Sequence, residues 1–122
     1  GHRTRYFRPP GGHINEDGLR ALASAQHTLV IWTNNSNDWR KLQPDVIAKS
    51  VINRARSGDI VLMHQGSMES LRALPNILQE LQSHGYAVGT VSDLLQCGGV
   101  CVEEMQPRAA MSYLTARGFE RE

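Results

Sequence analysis

Three short runs of apolar residues punctuate the chain. They are Thr28 to Trp32, Asp59 to Met63 and Tyr86 to Val91. None alternates between apolar and polar positions, and each is bounded by polar or turn-forming residues. Continuous apolar runs of this length predict strands buried on both faces, as in a parallel sheet. Between them the period changes to that of a helix. Leu19, Leu22 and Ala23 share one stripe of a segment from Asp17 to Gln26. Ile47, Ala48, Val51, Ile52 and Ala55 share another, on a segment from Pro44 to Ser57. There the proline suits the first helical position and Gly58 the stop. Leu71, Leu74, Ile77, Leu78 and Leu81 define a third helix from Ser70 to His84, with Gly85 closing it. Pro75 falls inside that pattern and predicts either a kink or a restart. A short fourth helix is expected from Ser92, whose hydroxyl can cap Asp93, Leu94 and Leu95.

A further strand ending near Phe7 completes the order, which is α/β with parallel β/α units. Three or four such strands leave open edges, and open edges invite another segment to pair. The tail from Cys97 to Glu122 has a weaker pattern. Pro107 to Arg117 is read as a helix with Met111 and Leu114 inward and Gly118 at its end.

Composition narrows the class. The 122 residues suit one small domain, and 40% hydrophobic content sustains a packed core. Thirteen basic against twelve acidic side chains give a net charge of +1, with no electrostatic case for nucleic acid or an anionic membrane. No apolar run approaches the roughly 18–20 residues of a spanning helix. Cys97 and Cys101 enclose Gly-Gly-Val. That spacing is compatible with free thiols, with a disulfide across a tight turn, or with half of a metal site.

In parallel β/α folds, chemistry collects at the C-terminal ends of strands. Three motifs fall at such places: Phe7-Arg8-Pro9-Pro10-Gly11-Gly12, Asn37-Asp38-Trp39 and Leu62-Met63-His64. His64, directly after a strand, suits a general acid near neutral pH. Asp38 suits a carboxylate that orients such an imidazole and favours its protonated form. Trp39 offers a flat apolar wall, and Arg8 a guanidinium fork for a carboxylate that this chain does not obviously supply.

In order and spacing, the three motifs resemble the last three of the polysaccharide deacetylases, the NodB-type domain of carbohydrate esterase family four. The resemblance runs from about Arg5 to Leu95. The family's opening Thr-Phe-Asp-Asp and His-Ser-x-x-His stretches, which carry its base and metal ligands, do not occur here. The chain therefore resembles the C-terminal half of a distorted (β/α) barrel of the deacetylase type. Residues 1–95 bear the motifs, and 96–122 form a tail.

The resemblance implies metal-dependent hydrolysis of N-acetyl or O-acetyl groups on a glycan such as a chitin-like polymer or peptidoglycan. By it, His64 is the acid, Asp38 its orienting partner, and Arg8 the residue that positions a base in the absent half. The backbone N–H of Gly11, in the loop stiffened by Pro10, is an oxyanion donor, while Trp39 and Leu62 flank the acetyl methyl. The metal, usually zinc, would have its ligands outside this chain, so the chain alone is expected to be inactive. Its partners would be the N-terminal half of the same domain and the acetylated glycan. The expected location is extracellular or the cell envelope. Two departures stand out: Gly11 where the family has Tyr, and Asn35 where it has Asp. Both also suit a non-catalytic carbohydrate-binding module that kept the rim and lost the metal.

Overall fold

A computed structural model describes residues 4–96. The cysteine pair and the expected tail helix lie outside them. The chain divides into two compact units, described in turn, with the boundary between Ile31 and Trp32.

The first unit is one β–α–β turn. Strand β1 (Tyr6–Phe7) pairs in parallel with β2 (Thr28–Leu29), in the register Tyr6 to Thr28 and Phe7 to Leu29. Helix α1 (Glu16–Ser24) connects them. Asn15 caps it, its side-chain oxygen accepting from the Gly18 N–H at 2.9 Å. Glu16 and Asp17 place negative charge at its positive end. A side chain at Gly18 would meet Ile14 Cγ1 at 2.8 Å, which explains a glycine inside a helix. The helix ends two residues before the expected Gln26. The N–H of Gln26 bonds to Ala23 and that of His27 to Leu22, a Schellman closure whose left-handed position (φ 57°) is filled by Gln26.

The second unit holds strand β3 (Asn34–Asn35), helix α2 (Pro44–Ile52), strand β4 (Val61–Leu62), helix α3 (Met68–Ser83) and helix α4 (Val91–Gln96). Strands β3 and β4 are parallel, with Asn34 opposite Val61 and Asn35 opposite Leu62. The core is the α2–α3 contact: Ile47, Ala48 and Val51 against Ala73, Ile77 and Leu81. On α2 these are the expected periodic positions; on α3 only Ile77 and Leu81 are, while Leu71, Leu74 and Leu78 of the expected stripe face outward and Ala73 is buried in their place, because α3 turns the side bearing its smaller residues to α2.

Several boundaries differ from the sequence expectation. Helix α2 stops at Ile52, because its last turn tightens into three-residue bonds and Arg54 Nε takes the Ser50 carbonyl at 2.9 Å. Helix α3 starts at Met68, capped by Ser67, and runs unbroken through Pro75. The apolar run from Thr28 to Trp32 is a strand only at Thr28 and Leu29; ladder pairing resumes at Asn34 with a different partner strand. The segment Tyr86 to Val91 is not a strand among the described residues. Its Tyr86 packs on the α2–α3 core and donates its hydroxyl to the Ala55 carbonyl at 3.0 Å. Thr90, not Ser92, caps α4: its hydroxyl accepts from the Asp93 N–H at 3.2 Å, and Asp93 reaches back to the Thr90 N–H at 2.8 Å.

Candidate active site

Strand β4 ends at Leu62, and two residues later His64 leaves the sheet. Its neighbour β3 ends at Asn35 and feeds a tight loop. Asn35 shapes that loop. Its side-chain oxygen accepts from the Asn37 N–H at 2.9 Å, and Arg54 Nη2 holds its carbonyl at 2.6 Å. Asn37 takes a left-handed conformation (φ 57°), a geometry asparagine tolerates, and the 3-10 turn Asp38–Arg40 follows. The amide at position 35 thus makes the turn contact of a side-chain oxygen, a contact an aspartate also makes.

The loop delivers Asp38 beneath His64. Asp38 is 1% exposed. Its Oδ1 lies 2.7 Å from His64 Nδ1, while its Oδ2 accepts from the His64 backbone N–H at 2.7 Å and the Ser70 hydroxyl at 2.8 Å. The Asp38 N–H in turn donates to Ser36 Oγ at 3.3 Å. Burial pushes the Asp38 carboxyl up, but the hydrogen bonds from the His64 ring and backbone, Ser70 and Ser36 outweigh it and hold the carboxyl at about 2. An ionised carboxylate accepts only, so the Nδ1 facing it carries the proton. The opposite nitrogen, Nε2, is the one left for chemistry. The His64 side chain is 43% exposed, which gives that nitrogen a route to a bound molecule.

Trp39, next to Asp38, is 58% exposed, and the Arg40 guanidinium lies over its ring at 4.9 Å. The ring is therefore a surface plate and not a core side chain. Leu62 is 4% exposed on β4, behind the strand end.

The remaining motif lies in the first unit. Arg8 directly follows β1, is exposed, and makes no ion pair among the described residues. Pro9 is buried and Pro10 opens a 3-10 turn that the Gly12 N–H closes on the Pro9 carbonyl at 3.0 Å. Gly11 is exposed, with φ 67°. A side chain there would meet only His13 at 3.7 Å, so space is open but the backbone is one that non-glycine residues adopt at a cost. The structure thus brings Asp38 and His64 together in one unit with Trp39 and Leu62, and places Arg8, Pro10 and Gly11 in the other.

Among the described residues, no three His, Cys, Asp or Glu side chains cluster so as to hold a cation. No described helix is long and apolar enough to cross a membrane. Sequence reasoning passed over Ser36, Arg54 and Ser70. Ser70 read as the start of a helix, and a serine in a first turn carries no signal of the side chain it will meet.

The fold places the molecule among proteins built on parallel β/α units, and known proteins narrow this. No family model matches the chain. Over 95 residues it is 39% identical to the peptidoglycan-N-acetylglucosamine deacetylase of Bacillus cereus, across 74% of this chain and 45% of that protein. A CE4 family pseudoenzyme from Bacillus anthracis superposes with a TM-score of 0.73 at 31% identity, over 77% of this chain and 33% of that one. The peptidoglycan deacetylase PdaC of Bacillus subtilis gives 0.72 at 25% identity, over 98% and 53%. The chain belongs to the NodB-type polysaccharide deacetylases of carbohydrate esterase family four, and its β/α units are those of that family's barrel. It spans less than half the length of the Bacillus cereus relative.

Proposed function

We propose that residues 1–122 are the C-terminal half of a metal-dependent deacetylase domain acting on an acetylated cell-wall glycan, at the cell envelope or outside the cell. The observation that carries this reading is the buried Asp38 carboxylate bound to His64 Nδ1 at a strand end. The deacetylase names of the relatives supply the reaction class. A water molecule adds to the acetyl carbonyl, and the tetrahedral intermediate collapses with release of acetate. His64 Nε2–H gives its proton to the departing amine, or to the alkoxide of an O-acetyl group. Asp38 stabilises the imidazolium before that transfer. Trp39 and Leu62 flank the acetyl methyl. In the first unit, Gly11 offers its N–H to the developing oxyanion and Arg8 orients the base.

The described residues do not fit a metal site by themselves. By family resemblance the base and the ligands of a divalent metal, usually zinc, belong to a segment outside this chain, so no step above runs through the metal. The lengths of the relatives support the same division.

The test is acetate release from an acetylated glycan with zinc supplied. The chain alone is expected to give none. Fused behind the N-terminal portion of the Bacillus cereus relative, it is expected to turn over. Release by the chain alone, or a folded fusion without activity, overturns the reading.

A further inference from the structure

Asp38 has two oxygens, and they are used unequally. Oδ1 has the His64 ring, whereas Oδ2 is held by two donors from different elements, the His64 N–H at the end of β4 and the Ser70 hydroxyl in the first turn of α3. The His64 N–H and ring both belong to the residue being oriented, so they hold the carboxylate only relative to His64 itself. The Ser70 hydroxyl fixes its plane, and with it the direction of the oxygen that meets the imidazole. Ser70 is itself fixed. It is 5% exposed, and its own N–H donates to Ser67 Oγ at 3.2 Å, while the Ser67 hydroxyl donates to Glu69 at 3.1 Å. The result is a relay from the helix cap through Ser70 and Asp38 to His64.

We propose that Ser70 is a positioning residue for the acid. By locking Asp38 it holds His64 in the tautomer and ring orientation that present Nε2 outward. This deepens the proposed deacetylase reading and rests on it for its catalytic consequence, but the locking of His64 is measurable without any reaction. A hydroxyl acting on an ionised carboxylate has a stronger hold than a neutral pair, and positioning errors in an acid appear in turnover and not in ground-state binding.

The experiment compares Ser70→Thr, which keeps the hydroxyl, with Ser70→Val, which has nearly the same volume without it. Circular dichroism first establishes that both fold. In the 122-residue chain, long-range proton–nitrogen NMR correlation reads the tautomer ratio of the neutral His64 ring. The wild type and Ser70→Thr are expected to hold the Nδ1–H form. Ser70→Val is expected to lower that ratio by about tenfold, the scale of one charge-assisted hydrogen bond. In the active fusion, Ser70→Val should lower kcat by about tenfold with KM unchanged, and Ser70→Thr should restore it. If Ser70→Val keeps the wild-type tautomer ratio, or if Ser70→Thr loses as much as Ser70→Val, the positioning role is overturned and the deacetylase reading stands. A tautomer shift as expected in a fusion that has no activity even as wild type supports the positioning and overturns the deacetylase reading instead.

Discussion

Asp38 is an anion at 1% exposure because hydrogen bonds from the His64 ring, the His64 N–H and the Ser70 and Ser36 hydroxyls hold its charge. The arrangement has a consequence for stability. Its carboxyl is lowered from 3.8 to about 2 in the folded chain. A depressed acid stabilises the fold above its unfolded value, and that stabilisation disappears as pH falls through the folded one. The contribution, about 2 kcal/mol, is expected to be complete above pH 3.8 and to vanish on descending toward pH 2. Urea denaturation across that window should show the fall in the wild type, and Asp38→Asn should remove its part of the slope. The pair itself was legible in the sequence, since Asp38 and His64 stand at strand ends in motifs of known order. Ser70 was not legible, because its partner lies thirty-two positions away and only the packing of α3 against α2 brings the two together.

At the level of elements, local signals did better than non-local ones. Helix periodicity placed the buried face of α2, because residues three and four apart share a face whatever surrounds them, but on α3 only Ile77 and Leu81 of the expected stripe are buried: Leu71, Leu74 and Leu78 are exposed, and Ser70 and Ala73 take the inward positions. Pro75 does not restart α3, since tertiary contacts at Ala73, Ile77 and Leu81 hold the helix through it. The run Tyr86 to Val91 misled the sequence reading. An apolar run becomes a strand only when another strand offers a ladder, and no described strand pairs with this one. The end of α1 supplies a prediction at this scale. Gln26 occupies a left-handed closing position that glycine adopts without steric cost. Gln26→Gly is therefore expected to stabilise the chain by about 1 kcal/mol, read as a raised denaturation midpoint with unchanged m-value. An unchanged or lowered midpoint would mean that the Gln26 side chain contributes more than its backbone strain costs.

At the scale of the whole molecule, the chain carries a histidine with a buried carboxylate on its Nδ1, while relatives of more than twice its aligned length carry deacetylase names. The parallel pairs β1–β2 and β3–β4 have their motif residues just beyond the strand ends, where this architecture concentrates chemistry. The division of labour proposed above makes His64 the proton donor of a composite site. The measurement that tests this most directly is the rate of acetate release by the fusion with the Bacillus cereus N-terminal portion, with His64 present and with His64→Ala, at equal zinc loading and with folding checked by circular dichroism. The account predicts a loss of roughly 10²–10⁴-fold in kcat, the usual contribution of a positioned general acid. Equal rates for the two proteins would contradict it and remove His64 from the reaction.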